Sequence, residues 1–115
     1  MNKGTKVSPG RKLTKVFGMR FTNPQEFENL KAIDENIGSK DFFEWTGPGN
    51  FELSKVGMVA YLPLNPEGVY EVVKGKANFK IKGQETIRHM VIIHDPKTGM
   101  EWWIRESKMS PVHNS

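Results

Sequence analysis

The stretch TIRHMVIIHDPKTGMEWWIR, residues 86–105, decides how the rest of the chain is read. Its first half holds the continuous apolar run Met90-Val91-Ile92-Ile93, the pattern of a central strand covered on both faces. Asp95-Pro96-Lys97-Thr98-Gly99 follows, a cluster of residues that favour a tight reversal. Beyond it, Met100, Trp102 and Ile104 share one face of an extended segment and should enter the core, while Glu101, Trp103 and Arg105 share the other. The stretch therefore predicts a β-hairpin at the centre of a mainly β protein.

Upstream, the same turn chemistry separates further β-rich runs. Residues 56–62 and 69–73 flank the turn Asn65-Pro66-Glu67-Gly68. Gly75 interrupts, and residues 78–82 alternate, with Phe79 and Ile81 on one face and Lys80 and Lys82 on the other. Earlier still, Asn23-Pro24-Gln25-Glu26 is a helix start: Asn caps, Pro suits the first helical position, and Glu26 stands where a capping box needs it. The spacing of Phe27, Leu30, Ile33 and Ile37 predicts one apolar stripe on a helix from Pro24 to about residue 36, stopped by Gly38 and packed against the sheet. Residues 16–21 read as a short strand weakened by Gly18. Asp41-Phe42-Phe43-Glu44-Trp45 fits either a turn of helix or an extended segment, and Gly47-Pro48-Gly49-Asn50 reads as a loop. Residues 1–14, rich in Lys, Gly, Ser and Pro, are expected to be a flexible basic tail, leaving residues 15–115 as a single domain.

Charge is unevenly placed along the 115 residues. The first 20 carry six bases and no acid; residues 21–54 carry seven acids against two bases; the remainder carries nine bases against six acids. A basic segment followed by a folded body suits an acidic partner such as nucleic acid, and also suits a merely solvated tail. The absence of cysteine excludes disulfides, thiolate metal sites and cysteine nucleophiles, and accords with a reducing compartment. Without a long apolar run or a signal-peptide pattern, the expected location is cytoplasmic.

The strand-turn-strand of residues 56–73, the hairpin across residues 95–99, the polar stretch Glu106-Ser107-Lys108-Met109-Ser110 and the final Pro111-Val112 together resemble an SH3-like barrel. In that class a single 3-10 turn commonly joins the last two strands, and residues 106–110 stand where it would be. Gly57-Met58-Val59 followed by Gly68-Val69 is similar to the opening of a KOW or Tudor-type module. The resemblance implies an α+β, mainly β fold: a small SH3-like barrel over residues 53–112, with one N-terminal helix packed on it. It also implies a module that binds nucleic acid, peptide or protein surfaces and is not an enzyme.

Chemistry-bearing constellations are sparse. His89 and His94 are five apart on one strand and so fall on opposite faces, poor geometry for a shared metal. His94-Asp95 lacks a nucleophile in a recognisable elbow, and the neighbouring carboxylates of the helix diverge. Gly47-Pro48-Gly49 lacks the Lys-Ser/Thr ending of a phosphate loop. No metal, cofactor or catalytic residue is expected.

Surface constellations are richer. Lys74, Lys76, Lys80 and Lys82 would line one face wherever their segment is extended, as a strip for phosphates or as an ordinary solubilising edge. Trp103 beside Arg105 would make a platform for stacking a base, or would pack beneath the helix. With Arg88, Arg11, Lys12 and Lys15, these residues form a candidate interface for DNA or RNA. The alternative is a protein-interaction module, an accessory factor or inhibitor of a larger enzyme, using Phe42, Phe43, Trp45 and the acidic helix face toward a basic partner.

Overall fold

The computed structural model describes residues 1–10, 15–44, 51–53, 56–81, 85 and 87–112. In chain order the elements are β1 (Lys6–Ser8), β2 (Phe17–Thr22), α1 (Pro24–Ile33), β3 (Gly38–Glu44), β4 (Phe51–Leu53), β5 (Val56–Pro63), β6 (Tyr70–Lys74), β7 (Phe79–Ile81), β8 (Met90–His94), β9 (Glu101–Arg105), a 3-10 turn (Glu106–Lys108) and β10 (Ser110–Pro111). Eight strands form one antiparallel sheet in the order β10-β1-β6-β8-β9-β2-β5-β3, and β4 pairs with β7 in a small parallel sheet. The protein is mainly β with one helix.

The β8–β9 hairpin forms as its sequence predicts. Met90 faces Arg105 and His94 faces Glu101 across the ladder. The reversal is closed by Asp95 N donating to Met100 O at 2.9 Å and Gly99 N to Asp95 O at 2.8 Å. Gly99 has φ +72°, where a side chain would be strained. Inside the turn, the Asp95 Oδ2 accepts from Thr98 N at 3.1 Å and from Thr98 Oγ1 at 2.8 Å. Thr98 Oγ1 in turn accepts from the Trp102 indole Nε1 at 3.2 Å. Thus the turn fixes both the hairpin register and the largest core side chain.

The core lies on one face of the sheet. Val7 of β1, Ala60 and Leu62 of β5, Val72 of β6, Val91 and Ile93 of β8, and Trp102 and Ile104 of β9 belong to one buried cluster, which Leu30 of α1 also enters. β5 and β6 stand four places apart in the sheet, roughly 19 Å if the sheet were flat. Yet only residues 64–69 join them, and these include a turn in which Gly68 N donates to Asn65 O at 2.9 Å. A link so short, part of it spent in a turn, keeps the end of β5 near the start of β6, and Pro63 and Tyr70 line one cavity. β9 and β2 share the single bridge Met19–Trp103. Gly18 sits at this seam, where an added Cβ would lie 3.0 Å from Trp102 Cβ. The glycine that weakens β2 as a sequence signal is what lets β2 cross close over the tryptophan.

The strands expected over residues 53–112 form part of a wider arrangement. β1 and β2, from before that span, complete the sheet, and among the described residues β10 and β3 remain as edges, so the sheet is open. The expected tail also holds structure: β1 pairs with β6 and β10, and Val7 is fully buried. A single apolar side chain among lysines and glycines gives little sequence signal, but its two flanking strands supply the partners.

α1 starts as its capping signal predicts, with the Asn23 Oδ1 accepting from Glu26 N at 2.8 Å. It ends earlier than expected. Asp34 takes an extended backbone while its N–H still reaches Leu30 O, and its carboxylate accepts from Asn36 N at 3.1 Å. This local turn competes with helix propagation, as short polar side chains do. In consequence Leu30 is buried and Phe27 packs against the core, Ile37 is buried in the connection to β3, and Ile33 is 49% exposed.

Candidate functional site

The cationic groups are brought together by strand register and not by alternation along one strand. Lys74 lies opposite Ile92 after a bulge in β6, and Ala77 N donates to Met90 O at 3.0 Å. Met90 is opposite Arg105, and Glu106 N donates to His89 O at 3.1 Å. The end of β6, the start of β8 and the end of β9 therefore share one end of the sheet. Lys74, Lys76, His89 and Arg105 are exposed there, and Arg88 is half-buried. Arg88, His89 and Arg105, with Ile87, Glu106 and Ser107, line an open groove of about 520 Å³. Among the described residues Glu106 is the one acid lining it; the Met1 amine lies 3.4 Å from Glu106 Oε1 and opposes that charge.

The four-lysine strip is not formed as one row. A bulge between Val72 and Lys74 and a bend at Gly75 break the alternation, and Lys80 belongs to β7, where it pairs with Glu52 of β4 in the separate small sheet. Lys82 lies outside the described residues, as do Arg11 and Lys12. Lys15 is exposed just before β2 and does not line the groove.

Trp103 requires a correction. It is 8% exposed, in a second cluster with Ala77 and Met90, against which Met19, Phe21 and Ile92 pack. Its ring meets that of Phe21 edge to face, with centroids 6.0 Å apart and an interplanar angle of 71°. A ring so enclosed offers no face to a base. Nor does it lie under α1, whose Leu30 enters the other cluster. Trp103 faces away from Trp102 as alternation requires, and on that face Met19 of β2 and Ile92 of β8, both opposite it across the ladders, enclose it together with Phe21 and Ala77.

Of the alternative, protein-binding segment, Phe42 and Phe43 lie in edge strand β3, so the segment is extended and not helical; Trp45 lies outside the described residues.

A second cavity, of about 390 Å³, lies between the β5–β6 connection, the end of α1 and the β8–β9 turn. Asp34, Asp95, Tyr70, Val69 and Lys97 are among its lining residues. Tyr70 Oη accepts from Asn65 N at 3.0 Å. Burial pushes the Tyr70 phenol above its ordinary pKa, the Asn65 N–H pulls it back, and the charge of Asp95 adds to the rise. Sequence reading missed this cavity. Asp95 reads as a turn residue and Asp34 as a polar helix position, and no one-dimensional pattern joins residues 34, 70 and 95.

Fold and surface together describe a mainly β protein with a cationic groove and a carboxylate-lined cavity. Comparison with known proteins finds no family model, no curated protein and no solved structure that matches the chain. Among the described residues no helix is long and apolar enough to cross a membrane.

Proposed function

We propose that the protein is a non-catalytic module that binds nucleic acid, DNA or RNA, through its phosphates. The observation that carries this reading is the convergence of Lys74, Lys76, Arg88, His89 and Arg105 on one end of the sheet, around a groove in which Glu106 is the one acid among the described residues. Guanidinium groups present several fixed donors to phosphate oxygens, and each phosphate neutralised releases condensed counterions. With Trp103 enclosed, the proposal rests on the cationic groups without an aromatic platform. The SH3-like likeness belongs to the same reading; a 3-10 turn at Glu106–Lys108 between the last two strands supports it.

The test is a fluorescence-anisotropy titration against duplex DNA and against single-stranded DNA and RNA over a salt series. Affinity should fall steeply with salt, and Arg88→Ala with Arg105→Ala should weaken binding and reduce the salt slope by about one for each phosphate no longer neutralised. Absence of binding to all three at low salt would refute the proposal.

A further inference from the structure

One side chain lining the cationic groove is neither charged nor polar. Ile87 stands there with Arg88, His89 and Arg105, and it is 53% exposed. A phosphate set against it would lose water and gain no donor, whereas the flat face of a base would cover apolar surface with apolar surface. Resting on the phosphate-binding proposal above, we infer that the groove takes single-stranded nucleic acid, with one unpaired base against Ile87 and His89 and the flanking phosphates on the neighbouring cations.

The shape of the groove favours a strand over a duplex. Its volume of about 520 Å³ lies within the range of sites that enclose a small organic molecule, roughly 300–1,000 Å³, so a nucleoside-sized group fits it. A duplex keeps its base faces stacked inside, and its base edges lie at the floor of grooves about 7–9 Å deep, which only a projecting element can read. Ile87 and His89 line a recess instead. In a single strand the base faces are free, and unpaired bases stack on aromatic rings, histidine included, or on guanidinium planes. His89 and Arg105, both exposed in the groove, supply one of each, while the enclosed Trp103 supplies none.

Cations continue beyond the recess. Cross-strand partners share a face of a sheet. Lys74 is opposite Ile92, Ile92 is opposite Trp103, and Trp103 shares its face with Arg105. Lys74 and Arg105 therefore stand on one face with β8 between their strands, two strand spacings or roughly 10 Å apart across the sheet. A backbone leaving the groove toward β6 meets Lys74, so phosphates are held while the base between them is seated.

Anisotropy titrations over a salt series should compare three probes of equal length: an oligothymidylate, the same strand made abasic throughout, and the corresponding duplex. The two strands carry the same phosphates and differ only in their bases. At physiological salt the intact strand should bind at least about fivefold more tightly than the abasic one, the lower end of what one stacked base contributes. It should also bind more tightly than the duplex. Ile87→Ser alters no charge and sits at an exposed position, so it should shrink the preference for the intact strand and leave both the abasic affinity and the salt slope unchanged. Equal affinity for intact and abasic strands, a preference for the duplex, or a preference untouched by Ile87→Ser would overturn this inference and leave phosphate binding standing. Failure of all three probes to bind at low salt would overturn both.

Discussion

Replacing Thr98 by valine isolates the polar joint on which the central hairpin turns. The substitution keeps the branched shape and removes one hydroxyl, which donates to Asp95 Oδ2 at 2.8 Å and accepts from Trp102 Nε1 at 3.2 Å and Met100 N at 3.3 Å. Asp95 would keep its bond from Thr98 N, and Met100 is only half-buried, so the main loss falls on the fully buried indole N–H. A buried donor deprived of its partner costs about 1–3 kcal/mol, and the weakened bonds at Asp95 and Met100 bring the expected destabilisation to about 2–4 kcal/mol. For a domain of this size that corresponds to a fall in Tm of roughly 8–15 °C. Thr98→Ser retains the hydroxyl and should lie within about 1 kcal/mol of the parent protein. Thermal and urea unfolding, followed by tryptophan fluorescence, measure both variants. A valine variant as stable as the serine variant would show that the hydroxyl does not anchor Trp102, and the account of the hairpin would be wrong.

Leu30 and Ile33 sit on the same helix but differ in exposure, so Leu30→Asp should cost several kcal/mol through an unpaired buried charge while Ile33→Asp should change stability by less than about 1 kcal/mol. Equal effects in urea unfolding would place both side chains in the same environment. The hydrogen bond from Lys6 Nζ, 2.9 Å from Glu71 Oε2, together with its charge, holds the Glu71 carboxyl below its ordinary pKa. This small stabilisation is present above the carboxyl's unfolded pKa and is lost as pH falls through the lowered folded value. Lys6→Ala should therefore raise the Glu71 midpoint in a carboxyl NMR titration, and an unmoved midpoint would show that β1 does not bring the two together.

Local signals in the sequence led directly to local structure. The capping residues at Asn23–Glu26 and the turn at Asp95–Gly99 act over a few positions, and both elements form where these residues stand. The face of Trp102 was legible for the same reason, since alternation is a property of one strand. What required the whole chain was not legible. Trp103 is enclosed because β2 and β8 flank β9, setting Met19 and Ile92 opposite it and Phe21 against its ring, and the β2–β9 pairing joins segments far apart in the chain. The cationic end has the same origin: Arg88 and Arg105 become neighbours through the β8–β9 register, whereas the lysine row, read from alternation alone, is broken by the bulge before Lys74. The end of α1 was missed through a competition between Asp34's side chain and the helix, a contest that apolar periodicity does not register.

The position of β1 bears on how the chain assembles as it is synthesised. Val7 pairs with Tyr70 on one side and Pro111 on the other, so β1 has no sheet neighbour until the chain has grown beyond residue 70, and its second arrives only with residue 111. β8 and β9, by contrast, are joined by a turn of a few residues and can pair as soon as both exist. Vectorial synthesis therefore favours a hairpin-first order, in which β1 waits to be recruited and β10 attaches through it. Losing residues 1–10 would remove more than charge: it would strip β10 of its partner and expose the edge of β6, turning an interior strand into a surface on which other chains can pair.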